Sequence, residues 1–287
     1  MTNRESLHPL VRGLKMLIDS HAHLDEPYLR DNLSAVLERA RLEDVKKVVT
    51  IGVTPASSRK CMEIAARYPE VYATVGYHPH WAKGAGPERL TEIETLARDP
   101  AVAALGEIGL DFHHFHSPRK PQLELFRNML EIASTLGLPV IIHDRKAHEE
   151  VYDILFEFRA RLTGGIMHCF SGNWDLARKY LDRGFFLSIP GPVTYSSSHD
   201  LREVAQKAPL DQILLETDAP YLTPAPHRGK KNEPAFVRYT AMEIARIRNT
   251  SLEKIARVTT ENVFNAFRIQ ELETRGGPDP ETHRPEP

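Results

Sequence analysis

Short apolar runs alternate along most of the chain with segments whose apolar residues recur every three or four positions. The runs fall at residues 16–19, 47–52, 72–76, 103–108, 139–143, 165–169, 185–189 and 212–216. They are not strictly alternating, the pattern of strands buried on both faces. The segments between them, 32–42, 57–68, 88–98, 121–136, 148–158, 174–183 and 200–207, read as amphipathic helices, and two more follow at 234–248 and 252–267. Gly137 and Gly184 stand just past two of these helices, where a C-terminal cap favours glycine.

Eight strand–helix units imply a parallel sheet, because each helix carries the chain back to start the next strand in the same direction. A closed α/β barrel, the (β/α)8 TIM barrel, accounts for eight units better than an open sheet, and such a barrel takes roughly 250 residues. No internal repeat or interdomain linker interrupts the pattern, so a single domain over 16–270 is expected. Residues 1–15 read as an N-terminal extension ahead of Met16, and residues 271–287, rich in proline and charge, as a disordered tail.

The 287 residues carry 37 basic and 39 acidic side chains, a formal charge of −2, so contacts with phosphates must be local rather than spread over a basic surface. Two cysteines give neither a disulfide framework nor a thiolate metal cluster. No apolar run is long enough for a membrane span, and residues 1–15 hold no apolar stretch of a secretory signal. The expectation is a cytoplasmic protein without a membrane partner, taken as a monomer.

Histidines and carboxylates cluster where the predicted strands end. His21 and His23 follow the first strand, His78 the third, and Asp218 the eighth; Glu107 ends the fourth with Asp111 just beyond, and His143 and His168 end the fifth and sixth. In a barrel these ends form one rim, where active sites are built. Residues two apart along a strand share a face, so His21 and His23 can address one cation. Glu107, at a buried strand end, is costly unless paired or metal-bound, and its two oxygens allow it to bridge two cations; an ion pair with Arg145 is the competing role. His143 and His168 alone would suit packed core histidines, but with Glu107 they supply ligands for a second cation. Asp218 can bind metal and accept a proton from water, or simply shape the turn before Pro220; Glu216 is placed to share its face. Nitrogen and oxygen donors of this kind suit Mg, Mn or Zn, so two divalent cations are expected. Such a pair activates water and neutralises oxygens on the scissile group, for phosphodiester and carbonyl substrates alike.

The loops suggest the substrate. Arg145 follows His143, and Arg228 and Lys230 follow the last strand, a frequent phosphate-binding position in barrels. Tyr77, Trp81 and Tyr221 can stack on bases if exposed, and His78 and His80 can contact a phosphate. The histidines His113, His114 and His116 crowd the loop after Asp111.

Taken together, DSHAHLD at 19–25, GYHPH at 76–80, GEIGLD at 106–111, HDR at 143–145, HCFSG at 168–172, ETDAPYLTP at 216–224, RGKKNEP at 228–234 and TENVF at 260–264 resemble the TatD family of metal-dependent deoxyribonucleases, in order and over about 250 residues. The resemblance implies a TIM barrel of amidohydrolase-like kind and cleavage of DNA phosphodiesters, often from 3′ ends. It implies that one cation takes His21, His23, Glu107 and Asp218, and the other Glu107, His143 and His168. Glu107 and Asp218 are then the catalytic carboxylates, and His78, Arg145, Arg228 and Lys230 bind the substrate, DNA in single strands or at ends. FHHFH at 112–116 departs from the tyrosine-rich stretch common in the family. Two other functions use the same scaffold: hydrolysis of another ester or amide, such as aminoacyl-tRNA or a small molecule, and a non-catalytic accessory role.

Overall fold

The run LIDSHA is buried at every position, which suits a strand covered on both sides, and it forms β1 (Leu17–Ala22). A computed structural model describes residues 16–269; the extension expected over 1–15 and the tail expected over 271–287 lie outside the described residues. The remaining strands are β2 (Val45–Thr50), β3 (Val71–Val75), β4 (Val102–Asp111), β5 (Val140–Arg145), β6 (Gly165–Met167), β7 (Phe186–Ile189) and β8 (Ile213–Leu215). The helices are α1 (Pro27–Arg30), α2 (Leu33–Leu42), α3 (Pro55–Arg67), α4 (Pro87–Ala97), α5 (Arg119–Leu136), α6 (His148–Phe158), α7 (Trp174–Leu181), α8 (His199–Lys207), α9 (Val237–Ile247) and α10 (Leu252–Phe267).

The strands are parallel and neighbours in sequence order, β1 through β8. The first and last meet past the end of β8: Ala22 bridges Ala219, and the His23 and Asp218 amides donate to Ala219 and His21 carbonyls at 2.8 and 2.9 Å. Deeper in the seam, Asp19 accepts from the Thr217 amide at 2.9 Å and the Thr217 hydroxyl at 2.5 Å. The protein is a single-domain (β/α)8 TIM barrel, as the alternation of runs implies.

Residue alternation splits the core in two. Leu17, Val48, Leu105, Val140, Ile142, Met167 and Leu215 pack outward against the helices. Ile18, Val49, Ile51, Ala104, Ile141, Ile166 and Leu214 fill the interior, with Val263, Phe264 and Phe267 of α10 packed beneath them. The TENVF segment therefore seals the barrel floor: Thr260 Oγ1 donates to the Met16 carbonyl at 2.8 Å, and the Asn262 amide to the Leu210 and Ile213 carbonyls, both at 2.8 Å. With the floor plugged, the rim at the strand C-termini is left for chemistry.

Several boundaries differ from the sequence reading. β1 runs to Ala22 and takes in His21, and β4 runs to Asp111, so Glu107 lies inside the strand rather than at its end. The predicted helix over 234–248 begins as a 3-10 turn (Pro234–Phe236) before α9. Helix α3 starts earlier than expected because the Thr54 hydroxyl caps the Ser57 amide at 3.1 Å ahead of Pro55. Gly137 caps α5 in the left-handed region, φ 67°. Gly184, φ 78°, likewise caps the end of α7: the Phe185 amide reaches back to the Tyr180 carbonyl at 3.2 Å and the Gly184 amide to the Leu181 carbonyl at 2.9 Å. Among the described residues no helix is long and apolar enough to cross a membrane.

Candidate metal centre

Two irregularities in the strand pairing flank the two residues at the heart of the site. The β1–β2 register shifts between Asp19 and Ala22, around His21, and the β4–β5 register shifts between Leu105 and Ile108, around Glu107. Such shifts re-aim side chains beside active sites. Glycine makes room for Glu107: a Cβ on Gly76 would stand 2.4 Å from the Glu107 nitrogen and from the Gly106 carbonyl carbon. At Gly109, φ 140°, a Cβ would fall 2.0 Å from the His143 carbonyl oxygen.

Glu107 Oε2, two imidazole nitrogens and an Asp218 oxygen make a set of four donor atoms. His21 Nε2 lies 3.5 Å from Glu107 Oε2 and 3.7 Å from Asp218 Oδ1; His23 Nε2 lies 3.9 Å from Glu107 Oε2 and 3.3 Å from Asp218 Oδ1. A cation with bonds of about 2.0–2.2 Å to four tetrahedral ligands would set those ligands about 3.3–3.6 Å apart. Neither ring nitrogen of the buried His21 has a hydrogen-bond partner, an arrangement that costs free energy unless something else engages the ring. Burial, reinforced by the stacked His168 ring 3.5 Å away, holds His21 below the usual histidine pKa, in the neutral form that ligates metal. The donor set and the unpartnered imidazole fit a divalent cation.

Around Glu107 Oε1 stand His143 Nδ1 at 2.7 Å, His168 Nε2 at 3.4 Å and His78 Nε2 at 3.5 Å. His168 is oriented from behind: its Nδ1 lies 3.0 Å from Glu216 Oε2, while Glu216 Oε1 accepts the Cys169 amide at 2.8 Å. A carboxylate on one imidazole nitrogen leaves the other nitrogen's lone pair for a cation. His78 is different. Its Nδ1 accepts the His80 amide at 3.2 Å, so in the neutral ring the proton sits on Nε2, which faces Glu107 as a donor. Burial outweighs the attraction of Glu107 and lowers the His78 pKa to about 4. Ligand atoms of His78, Glu107 and His143 lie within 4.8 Å of one another, as do those of His21, His23 and Glu107.

The electrostatics are those of a carboxylate pair among imidazoles. Burial opposes charge on Glu107, but His168, His78 and the His143 contact hold its pKa well below the ordinary value. Burial likewise opposes charge on Asp218, and His23 overcomes it. Burial also opposes the cationic rings of His143 and His168. The Asp111 and Glu107 contacts nonetheless lift the first to about 9, and Glu216 with Glu107 lifts the second to about 10. Asp218, with a side chain 14% exposed against 3% for Glu107, is the carboxylate nearer the open mouth.

All six ligands expected from the sequence are thus brought together. Glu216 departs from expectation: it serves His168, not Asp218. Asp218 adopts φ 57°, which breaks the strand alternation that would have put residues 216 and 218 on one face. Arg145 is exposed at the end of β5, Arg228 lies over the Tyr195 ring at 4.7 Å, and Lys230 is exposed beside it. Among the described residues none of the three has an acidic partner. Trp81 and Tyr221 are exposed at the rim, whereas Tyr77 is buried and unavailable for stacking. Sequence reading passed over Asp19, whose carboxyl joins the β1–β8 seam. Burial pushes its pKa to about 8 against the Thr217 hydrogen bonds. It also gave no role to Asp111, which lies 3.1 Å from His143 Nε2 and steadies that ring.

Comparison with known proteins agrees with this geometry. The profile of the TatD related DNase family matches residues 18–268. The chain is 43% identical over 254 residues to the uncharacterized metal-dependent hydrolase YabD of Bacillus subtilis, covering 88% of this chain and 100% of the relative. It is 32% identical to the 3′-5′ ssDNA/RNA exonuclease TatD of Salmonella typhimurium, covering 88% and 99%. The crystal structure of YjjV, a TatD homologue from Escherichia coli, superposes with a TM-score of 0.82 at 28% identity, covering 88% and 98%. With a barrel rim that gathers histidines around Glu107 and a match spanning the described domain, the chain belongs to the TatD related DNase family and is a metal-dependent hydrolase.

Proposed function

We propose that this hydrolase cleaves nucleic-acid phosphodiester bonds, removing nucleotides from the 3′ ends of single-stranded DNA, with two divalent cations sharing Glu107. The observation that carries the reading is the division of donors about Glu107: His21 and His23 gather near Oε2 with Asp218 Oδ1 beside both rings, and His143 and His168 lie near Oε1. These six residues would hold the cations. When bound, the pair would lower the pKa of the attacking water and neutralise charge on the phosphate.

The chain's own residues supply the rest. Asp218, ionised and facing the mouth, accepts the proton of the attacking water at Oδ1. His78, neutral with its proton on Nε2, is held only loosely by Glu107 Oε1 at 3.5 Å and turns that hydrogen to a phosphate oxygen as charge develops there. Glu216 holds His168, and Asp111 holds His143, so neither ring turns away. Arg145, Arg228 and Lys230, without acidic partners among the described residues, bind flanking phosphates, and exposed Trp81 and Tyr221 offer faces for unpaired bases. Two relatives support different parts: YabD is named only as a metal-dependent hydrolase, whereas the Salmonella relative is named as a 3′-5′ exonuclease on single-stranded DNA and RNA.

The test uses single-stranded oligonucleotides labelled at the 5′ or 3′ end, incubated with Mg, Mn or Zn. Labelled mononucleotide released early from the 3′-labelled strand, and a ladder from the 5′-labelled one, are expected. Asp218→Asn should slow release by about 10²–10⁴-fold. Metal bound to the wild-type protein with no cleavage of any nucleic acid would overturn the substrate and leave the metal centre standing.

A further inference from the structure

One carboxylate beside the centre is surrounded by more donors than its oxygens can accept. Asp111 is fully buried at the end of β4. Its Oδ1 accepts the His113 and His114 amides, both at 2.9 Å. Its Oδ2 lies 2.8 Å from His80 Nε2, 2.9 Å from His114 Nδ1 and 3.1 Å from His143 Nε2. A carboxylate offers about four lone-pair directions, two on each oxygen. Five nitrogens converge on them, and three of those are imidazoles on one oxygen.

His143 has a reason to donate there, because its other nitrogen faces Glu107 at 2.7 Å. His80 and His114 have no such constraint. A neutral imidazole presents an N–H on one nitrogen and a lone pair on the other. If His80 Nε2 and His114 Nδ1 present lone pairs, the crowding at Oδ2 becomes a ligand set: two imidazole nitrogens and a carboxylate oxygen. Ligand atoms of a tetrahedral site with bonds of about 2.1 Å lie about 3.4 Å apart; the two nitrogens stand 2.8 and 2.9 Å from the oxygen, so each gives way by about half an ångström to admit a cation. The His116 ring, 4.5 Å from that of His80, places a fourth imidazole alongside.

We propose that His80, Asp111 and His114 form a third cation site, separate from the pair at Glu107 and suited to a borderline divalent metal such as zinc. Imidazole-rich sites favour such ions over magnesium. The site opens to solvent, with the His80 and His114 side chains 27% and 48% exposed, so its metal exchanges more readily than one held at the buried Glu107. It touches the centre through one ring, His143, whose two nitrogens face Asp111 and Glu107. The proposal stands whether or not the substrate is nucleic acid.

The experiment compares zinc content after equilibrium dialysis, by elemental mass spectrometry, in the wild type and in His114→Ala. The exposed position of His114 leaves the fold undisturbed. The wild type is expected to retain one zinc equivalent more than His114→Ala, and a crystal of the zinc-loaded wild type to show anomalous density between His80, Asp111 and His114. A Glu107→Gln protein is expected to lose metal from the Glu107 cluster and keep this one equivalent. Equal zinc in the wild type and His114→Ala, or anomalous density confined to the Glu107 cluster, would overturn the third site without touching the reading of the other two.

Discussion

Glu216→Gln removes one charge and almost no volume from a fully buried position, so its effect isolates the role of that carboxylate in orienting His168. Glu216 meets two donors, the His168 Nδ1 hydrogen at 3.0 Å and the Cys169 amide at 2.8 Å. A glutamine side chain has one oxygen to offer them. If that oxygen serves Cys169, the amide NH2 faces His168 Nδ1, which must become an acceptor; the ring proton then moves to Nε2, the nitrogen that faces Glu107 at 3.4 Å, and the lone pair needed for metal is lost. If instead the oxygen serves His168, two N–H groups oppose each other in a buried site, at about 1–3 kcal/mol. Either outcome agrees with the 10–100-fold loss of affinity typical when a ligand's supporting carboxylate is removed, about 1.4–2.8 kcal/mol. Manganese titration by calorimetry should therefore show one of two binding events weakened about 10–100-fold and the other unchanged, with circular dichroism unaltered. Binding within twofold of wild type at both events would refute the orienting role of Glu216.

Other consequences are open to direct measurement. Gly76→Ala forces a Cβ to 2.4 Å from the Glu107 backbone, so urea unfolding should show a loss of about 2–4 kcal/mol together with weaker metal binding; a change under 0.5 kcal/mol would contradict the close approach. His148 pairs with Asp144 at 2.8 Å, a hydrogen bond that raises its pKa against partial burial. The folded value lies above the unfolded one, so this contribution is complete below about pH 6.5 and disappears as pH rises through the folded pKa. His148→Ala should cost about 0.5–1 kcal/mol near pH 5.5, discounted for exposure, and almost nothing near pH 9. A cost that grows with pH would reverse the assignment.

The barrel was legible because buried parallel strands leave a simple mark, short apolar runs spaced by amphipathic helices, and all eight runs became strands. The convergence of the candidate ligands on one rim was legible for a related reason: histidine and carboxylate at the ends of apolar runs are expensive unless they share a task. What sequence could not show was local backbone geometry. The register shifts around His21 and Glu107 and the positive φ of Asp218 are set by pairing between distant strands, and they decide which way each side chain points. Alternation alone therefore assigned Glu216 to Asp218, when the turn delivers it to His168. Asp111 was placed at the rim without a role because two of the imidazoles that define it, His80 and His143, come from other strand ends. Tyr77, beside the exposed Trp81, is buried because it packs inward under the 3-10 turn (Pro79–Gly84) that follows β3.

The sharing of Glu107 between two cations is tested most directly by anomalous diffraction from crystals grown with manganese. Two peaks are expected, one contacted by His21, His23, Glu107 and Asp218 and the other by Glu107, His143 and His168. A single peak at Glu107, or peaks that leave Glu107 unligated, would contradict a two-cation centre built on that carboxylate.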